Sequence, residues 1–181
     1  MTIKLAINGF GRIGRNVLRA LHESGREDLE IVAINDLAPA PALAHLLRYD
    51  SVHGRFPGTV KSTDTTLDIG EGPITVTAQR DPNDLPWKEL GVDIVLECTG
   101  FFTSSDAAQK HIDAGAKKVL ISAPGKGNVK TVVYGVNHEE LTAEHTIVSN
   151  ASCTTNCLAP LAMALDLEFG IKNGFMTTVH A

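Results

Sequence analysis

Short apolar runs alternate with stretches of helical spacing along almost the whole chain. Residues 3–8 predict a brief buried strand that runs straight into Gly9-Phe10-Gly11-Arg12-Ile13-Gly14. Residues 15–24 then put Val17, Leu18 and Leu21 on one helical face, with Gly25 set to end the helix. A second apolar strand, 30–36, finishes on Asp36, and residues 42–49 predict a helix whose apolar face is Leu43, Leu46 and Leu47. Between residues 59 and 77 the texture changes to short alternating segments joined by glycine turns, which predict an antiparallel insertion or edge meander. Apolar strands resume at 93–100, 118–124, 131–136 and 146–149, with a helix at 105–114 capped by Ser104 or Ser105 and a short helical start at 138–141. Trp87 stands alone and is expected in the core. This order predicts an α/β fold: one doubly wound parallel domain with an antiparallel insertion, up to about residue 150.

Beyond that point, residues 158–169 predict an amphipathic helix with Leu158, Leu161, Ala162, Leu165 and Phe169 on its apolar side. Pro160 is tolerable only in the first turns, so the helix should start near Ser152. A β-rich run at 174–179 follows and ends on His180.

Composition narrows the classes. The chain has 181 residues, 43% hydrophobic and 20% charged, with a formal net charge of -5, which suits a soluble globular protein. No basic stripe or aromatic-basic interleaving is present, so no nucleic-acid partner is expected. Apolar runs fall short of the ~20 residues of a membrane span, and the immediate entry into a strand predicts no signal peptide. Three cysteines are not a disulfide framework, and no Cys/His spacing fits a metal site; a reducing cytoplasm is the expected setting.

The glycine run sits between a strand and a helix, and Asp36 follows its last glycine at the distance typical of dinucleotide sites. Gly9 permits the tight turn, Gly11 leaves room for a pyrophosphate, and Gly14 lets helix and strand approach. The helix start would supply N–H groups to the phosphates, and Asp36 would hold the adenosine ribose and repel a 2′-phosphate, favouring NAD over NADP. Thr99, Gly100 and Ser122 fall at carboxyl ends of strands, where the nicotinamide half is expected.

Ser152-Cys153-Thr154-Thr155-Asn156-Cys157 adds a nucleophile. A thiol at a helix start feels unpaired N–H groups and the positive end of the dipole, both of which favour thiolate. His180, one helix and one strand later, could remove a proton from an adduct on Cys153. Cys98 and Cys157 are expected as packing residues, with a Cys-x-x-x-Cys redox pair as the alternative for Cys157.

Residues 6–15, 149–157 and 177–180 together resemble the phosphorylating glyceraldehyde-3-phosphate dehydrogenases. The resemblance implies a Rossmann domain, residues 1–151, followed at 152–181 by the first helix and strand of an α+β catalytic domain. It implies Cys153 as catalytic thiol, His180 as base, and Arg12, Ile13, Asn35, Asp36, Arg80, Thr99, Gly100 and Ser122 as NAD contacts, with Ser152 and Thr154 beside the substrate. It further implies glyceraldehyde 3-phosphate and inorganic phosphate as substrates, a cysteine thioester as intermediate, and a homotetramer. Members of that family continue for about as many residues again, so this chain alone is expected to bind NAD weakly at best and not to turn over. An erythrose-4-phosphate dehydrogenase or a catalytically silent NAD-binding fragment are the alternatives.

Overall fold

The structure is a computed structural model and describes residues 2–179. The chain begins with β1 (Ile3–Asn8), α1 (Arg12–Ser24), β2 (Leu29–Asn35) and α2 (Ala40–Arg48). A small pair, β3 (Tyr49–Asp50) and β4 (Gly54–Arg55), precedes β5 (Lys61–Ser62), β6 (Thr66–Asp68) and β7 (Pro73–Thr77). Then come α3 (Trp87–Leu90), β8 (Ile94–Glu97), α4 (Ser105–Asp113), β9 (Lys118–Ile121), β10 (Lys130–Thr131), β11 (Ile147–Ser149) and α5 (Cys153–Phe169).

Among the described residues, the main sheet has the order β10-β11-β9-β8-β1-β2-β7-β6-β5. Strands β10 through β7 are parallel to their neighbours, whereas β6 and β5 continue the same sheet in antiparallel fashion. The expected insertion is therefore an extension of the main sheet, and its last strand, β7, serves as a parallel neighbour of β2.

Strand alternation builds two cores. Leu5 and Ile7 of β1 face one layer with Leu18 of α1 and Leu43 and Leu47 of α2. Ala6 faces the other with Trp87, Val95, Ala108 and Val119. A sheet covered on both faces needs apolar side chains on both, which explains its near-continuous apolar strands. Each fully buried Leu or Ile contributes roughly 1.5–3 kcal/mol of transfer free energy.

Several boundaries differ from expectation for local reasons. Helix α1 starts at Arg12, before the apolar periodicity begins, with Arg12 and Ile13 exposed and Gly14 buried. In α2 the i, i+4 pair Leu43 and Leu47 takes the core face, and Leu46 one position off it is 43% exposed. The strand expected at 131–136 shrinks to β10: the backbone turns at Gly135 (φ +83°), and Asn137 Oδ1 accepts the Val133 N–H at 2.8 Å. Helix α5 begins at Cys153 as expected, with Ser152 Oγ accepting the Thr155 N–H at 3.0 Å. No residue of α5 is buried, however, and Cys157 is exposed instead of packed. The strand expected at 174–179 is not formed, since no strand lies beside those residues among the described ones to complete a ladder.

Candidate functional site

From β1 the chain winds outward through β2 and β7, and from β8 it winds the other way through β9 and β11. The strand order reverses between β1 and β8. In open parallel sheets the crevice outside the carboxyl ends at such a point receives the ligand. A cleft of about 520 Å³ lies there, lined by Gly9, Gly11, Asp36, Arg80, Thr99 and Phe101 among others.

The glycine loop is built for close approach. Gly9 has φ +91°, and a Cβ on it would stand 2.8 Å from Thr99 Cγ2, so β1 and β8 meet tightly at their ends. A Cβ on Gly14 would collide with the Gly9 carbonyl oxygen, with Ile7 Cγ2 at 2.9 Å, so only glycine lets α1 pack on β1. Gly11 differs: nothing lies within 4 Å of where its Cβ would be, so this side of the loop opens on the cleft. Helix α1 carries no side-chain cap, and its first-turn N–H groups have no intrahelical acceptors. That is a cradle for an anion.

Asp36 is fixed at the rim. Its Oδ2 accepts the Phe10 N–H at 2.7 Å and its Oδ1 the Ala38 N–H at 3.0 Å. Each oxygen keeps a lone pair for a ribose hydroxyl. Asn35 lies in the cleft floor and donates through Nδ2 to Asn8 Oδ1 at 2.7 Å and to the Gln79 carbonyl at 2.9 Å. The cleft therefore brings together Gly9, Gly11, Asn35, Asp36, Arg80 and Thr99, the residues the sequence pointed to.

Other expected contacts stand elsewhere. Arg12 Nη1 bonds Asp50 Oδ2 at 3.1 Å and borders a separate groove with Tyr49 and Arg55. Ile13 is half exposed, and Gly14 lies under the loop. Neither Arg12 nor Ile13 lines the cleft; both stand in the first turn of α1. Neither Gly100 nor Ser122 lines the cleft. Sequence reasoning missed Leu37, Gln79, Phe101 and Phe102, which do. Their signal was position: each follows a strand end by two to five residues, and Leu37 and Phe101 are large apolar side chains 52% and 85% exposed.

Cys98 follows β8 and also borders the cleft. Burial pushes its thiol up to about 11, with a hydrogen bond to Ser122 acting in the opposite direction. Cys153 is the first residue of α5 and is exposed. It follows β11, so it stands on the carboxyl edge of the parallel sheet that also bears the cleft. The segment before it is rigidly held. Ser149 Oγ donates to the Ala123 carbonyl at 2.6 Å and accepts the N–H groups of Gly125 and Ala151 at 3.0 Å each. Asn156 Nδ2 donates to the Asn150 and Ser152 carbonyls at 2.7 and 2.9 Å, tying the strand end to the helix. Ala151 takes φ +58°, an uncommon conformation for a residue with a Cβ. Ser152 Oγ lies 2.9 Å from Thr154 Oγ1 and 2.7 Å from Thr155 Oγ1. His180 lies outside the described residues.

No helix among the described residues is long and apolar enough to cross a membrane. Residues 3–105 match the family described as glyceraldehyde 3-phosphate dehydrogenase, NAD binding domain. Residues 152–181 match glyceraldehyde 3-phosphate dehydrogenase, C-terminal domain. The chain is 68% identical over 181 residues to a glyceraldehyde-3-phosphate dehydrogenase of Xanthobacter flavus and 65% identical over 182 residues to one of Pseudomonas aeruginosa. One of Cereibacter sphaeroides is 61% identical over 181 residues. Each match covers 100% of this chain and 54% of the relative, so the chain spans about half the length of these curated relatives.

Proposed function

This chain belongs to the glyceraldehyde-3-phosphate dehydrogenase family, with NAD as its cofactor, and from that premise we propose that it carries the dinucleotide site and the nucleophile of an NAD-dependent, phosphorylating oxidation of glyceraldehyde 3-phosphate. We take residues 1–151 as the NAD-binding domain and 152–181 as the start of the catalytic one. The cleft residues fit the cofactor. The open side of Gly11 and the uncapped start of α1 suit its pyrophosphate, and Asp36 suits the adenosine ribose. Leu37 and Phe101 offer apolar surface for the purine.

When bound, NAD supplies the hydride acceptor. The chain's own residues supply the rest. Cys153 Sγ adds to the aldehyde carbon to give a hemithioacetal, whose hydroxyl proton His180 takes as the adduct is oxidised to a thioester. Inorganic phosphate attacks that thioester, releasing the Cys153 thiolate and the acyl phosphate, 1,3-bisphosphoglycerate. A thiol suits this route because a thioester keeps the oxidation energy that hydrolysis would lose. The free N–H groups at the start of α5 would hold the adduct's oxygen, with Ser152 and Thr154 beside the substrate. A tetrameric assembly and a cytoplasmic setting belong to the same reading.

The observation that carries it is the shared edge: an exposed cysteine opening α5 on the same carboxyl rim as the cleft lined by Gly11 and Asp36. Calorimetric titration tests it. The chain should bind NAD measurably and in clear preference to NADP; equal affinity for the two, or none for NAD, would contradict it. With both substrates present the chain alone should form no acyl phosphate, and measurable formation would overturn that part.

A further inference from the structure

Beneath the cleft lies a buried carboxylate that the proposed reaction does not use. Glu97, the last residue of β8, is wholly buried, as is His111 on α4. Glu97 Oε2 accepts from Asn8 Nδ2 at 2.6 Å and from His111 Nε2 at 2.9 Å. Its Oε1 accepts the Thr99 N–H at 2.8 Å and the Thr99 hydroxyl. Every group around this carboxylate is a donor.

The tautomer of His111 follows from its other neighbour. Trp87 Nε1 can only donate, and it lies 3.0 Å from His111 Nδ1. Nδ1 must accept, so the ring hydrogen sits on Nε2 and points at Glu97. Asn8 Nδ2 and His111 Nε2 stand 3.5 Å apart as two donors sharing one oxygen.

The chain of bonds continues across the sheet. Asn8 Oδ1 accepts from Asn35 Nδ2, and Asn35 Oδ1 accepts from Thr77 Oγ1 at 2.9 Å and from the Gln79 N–H at 2.8 Å. One network thus joins the core residue Trp87 to both lips of the cleft, Thr99 on one side and Gln79 on the other.

We propose that Glu97 is a positioning residue for the dinucleotide: with His111 held by Trp87 as a donor to it, its carboxylate accepts from and holds the Thr99 lip and the Asn8–Asn35 floor in the one arrangement that fits NAD. This rests on the dinucleotide reading of the cleft. Glu97, His111 and Trp87 do not line it, so they act only through the residues that do.

The test uses Glu97→Gln, Trp87→Phe and the double variant, by calorimetric NAD titration under conditions where each is folded, together with ¹⁵N NMR of the histidine rings. In Glu97→Gln one oxygen becomes an NH2 group, which leaves either the Thr99 N–H or the Asn8 and His111 donors without their acceptor, and NAD affinity should fall about tenfold or more. Trp87→Phe frees His111 to move its hydrogen to Nδ1 and accept from the new amide. The double variant should therefore bind NAD more tightly than Glu97→Gln alone, with the ring hydrogen now on Nδ1. A merely space-filling role predicts additive losses instead. Undiminished affinity in Glu97→Gln, or no recovery in the double variant, overturns the proposal. Should Glu97→Gln fail to fold, the unsubstituted chain still decides, because a hydrogen on His111 Nδ1 there overturns it as well. If the unsubstituted chain binds no NAD, the dinucleotide reading falls and takes this inference with it; if it binds and Glu97→Gln matches it, this inference falls alone.

Discussion

The Phe10 N–H donates to Asp36 Oδ2 at 2.7 Å, joining the glycine loop after β1 to the acid that ends the β2 turn. The acid proposed to read the ribose and the loop proposed to cradle the phosphates are thereby tied together. Removing the carboxylate disturbs both. Asp36→Ala should weaken NAD roughly tenfold, the range expected when a charged hydrogen-bond partner is lost, and should narrow the preference over NADP. Parallel titrations with the two dinucleotides check this; an unchanged ratio would separate Asp36 from ribose recognition.

Two glycines of the same loop should fail in different ways. Gly14→Ala forces a methyl against the Gly9 carbonyl and Ile7, so it should cost roughly 1–3 kcal/mol of stability. Gly11→Ala meets no protein atom and should leave the melting temperature nearly unchanged while lowering NAD affinity. Thermal melts and titrations of both variants distinguish the packing role from the ligand role. A large melting loss in Gly11→Ala would contradict the open cradle.

Asp50 carries a stability signature at acid pH. The backbone N–H groups of His53 and Val52, with a smaller contribution from Arg12, lower its carboxyl from 3.8 to about 2. A pKa lower in the folded state stabilises above the unfolded value and loses that effect as pH falls through the folded one. The stability difference between the unsubstituted chain and Asp50→Asn should be nearly full above about pH 5 and shrink as pH falls from 3.8 through about 2. Urea unfolding across that window measures it; a difference independent of pH would refute the assignment.

Much of this was legible in the sequence because it is local. The strand, glycine loop, helix and acid of residues 3–36 announce themselves by spacing, and Ser152 by its type and place before a helix. The Glu97 network was not legible. Its members, Asn8, Trp87, Glu97 and His111, lie far apart in the chain and meet only because β1 pairs with β8 and α4 packs beneath. Tyr134 and the valines before it read as a strand, since β propensity does not reveal whether a ladder partner exists. Periodicity likewise gave α5 an apolar face without saying what would cover it, and among the described residues nothing does.

Thiol labelling separates the three cysteines. Cys98, with its thiol pushed up to about 11, should resist iodoacetamide near neutral pH until the chain unfolds, whereas Cys153 and Cys157 are exposed. Peptide mapping after a short pulse reads this directly. Early labelling of Cys98 would contradict its raised thiol.

Cys153 is proposed to work beside the bound dinucleotide. The most direct measurement is the alkylation rate of Cys153 against that of Cys157, one helical turn further on, with and without saturating NAD. Cys153 should be the faster of the two, and NAD should change its rate while leaving Cys157 unaffected. Equal rates for the two thiols, both indifferent to NAD, would contradict it.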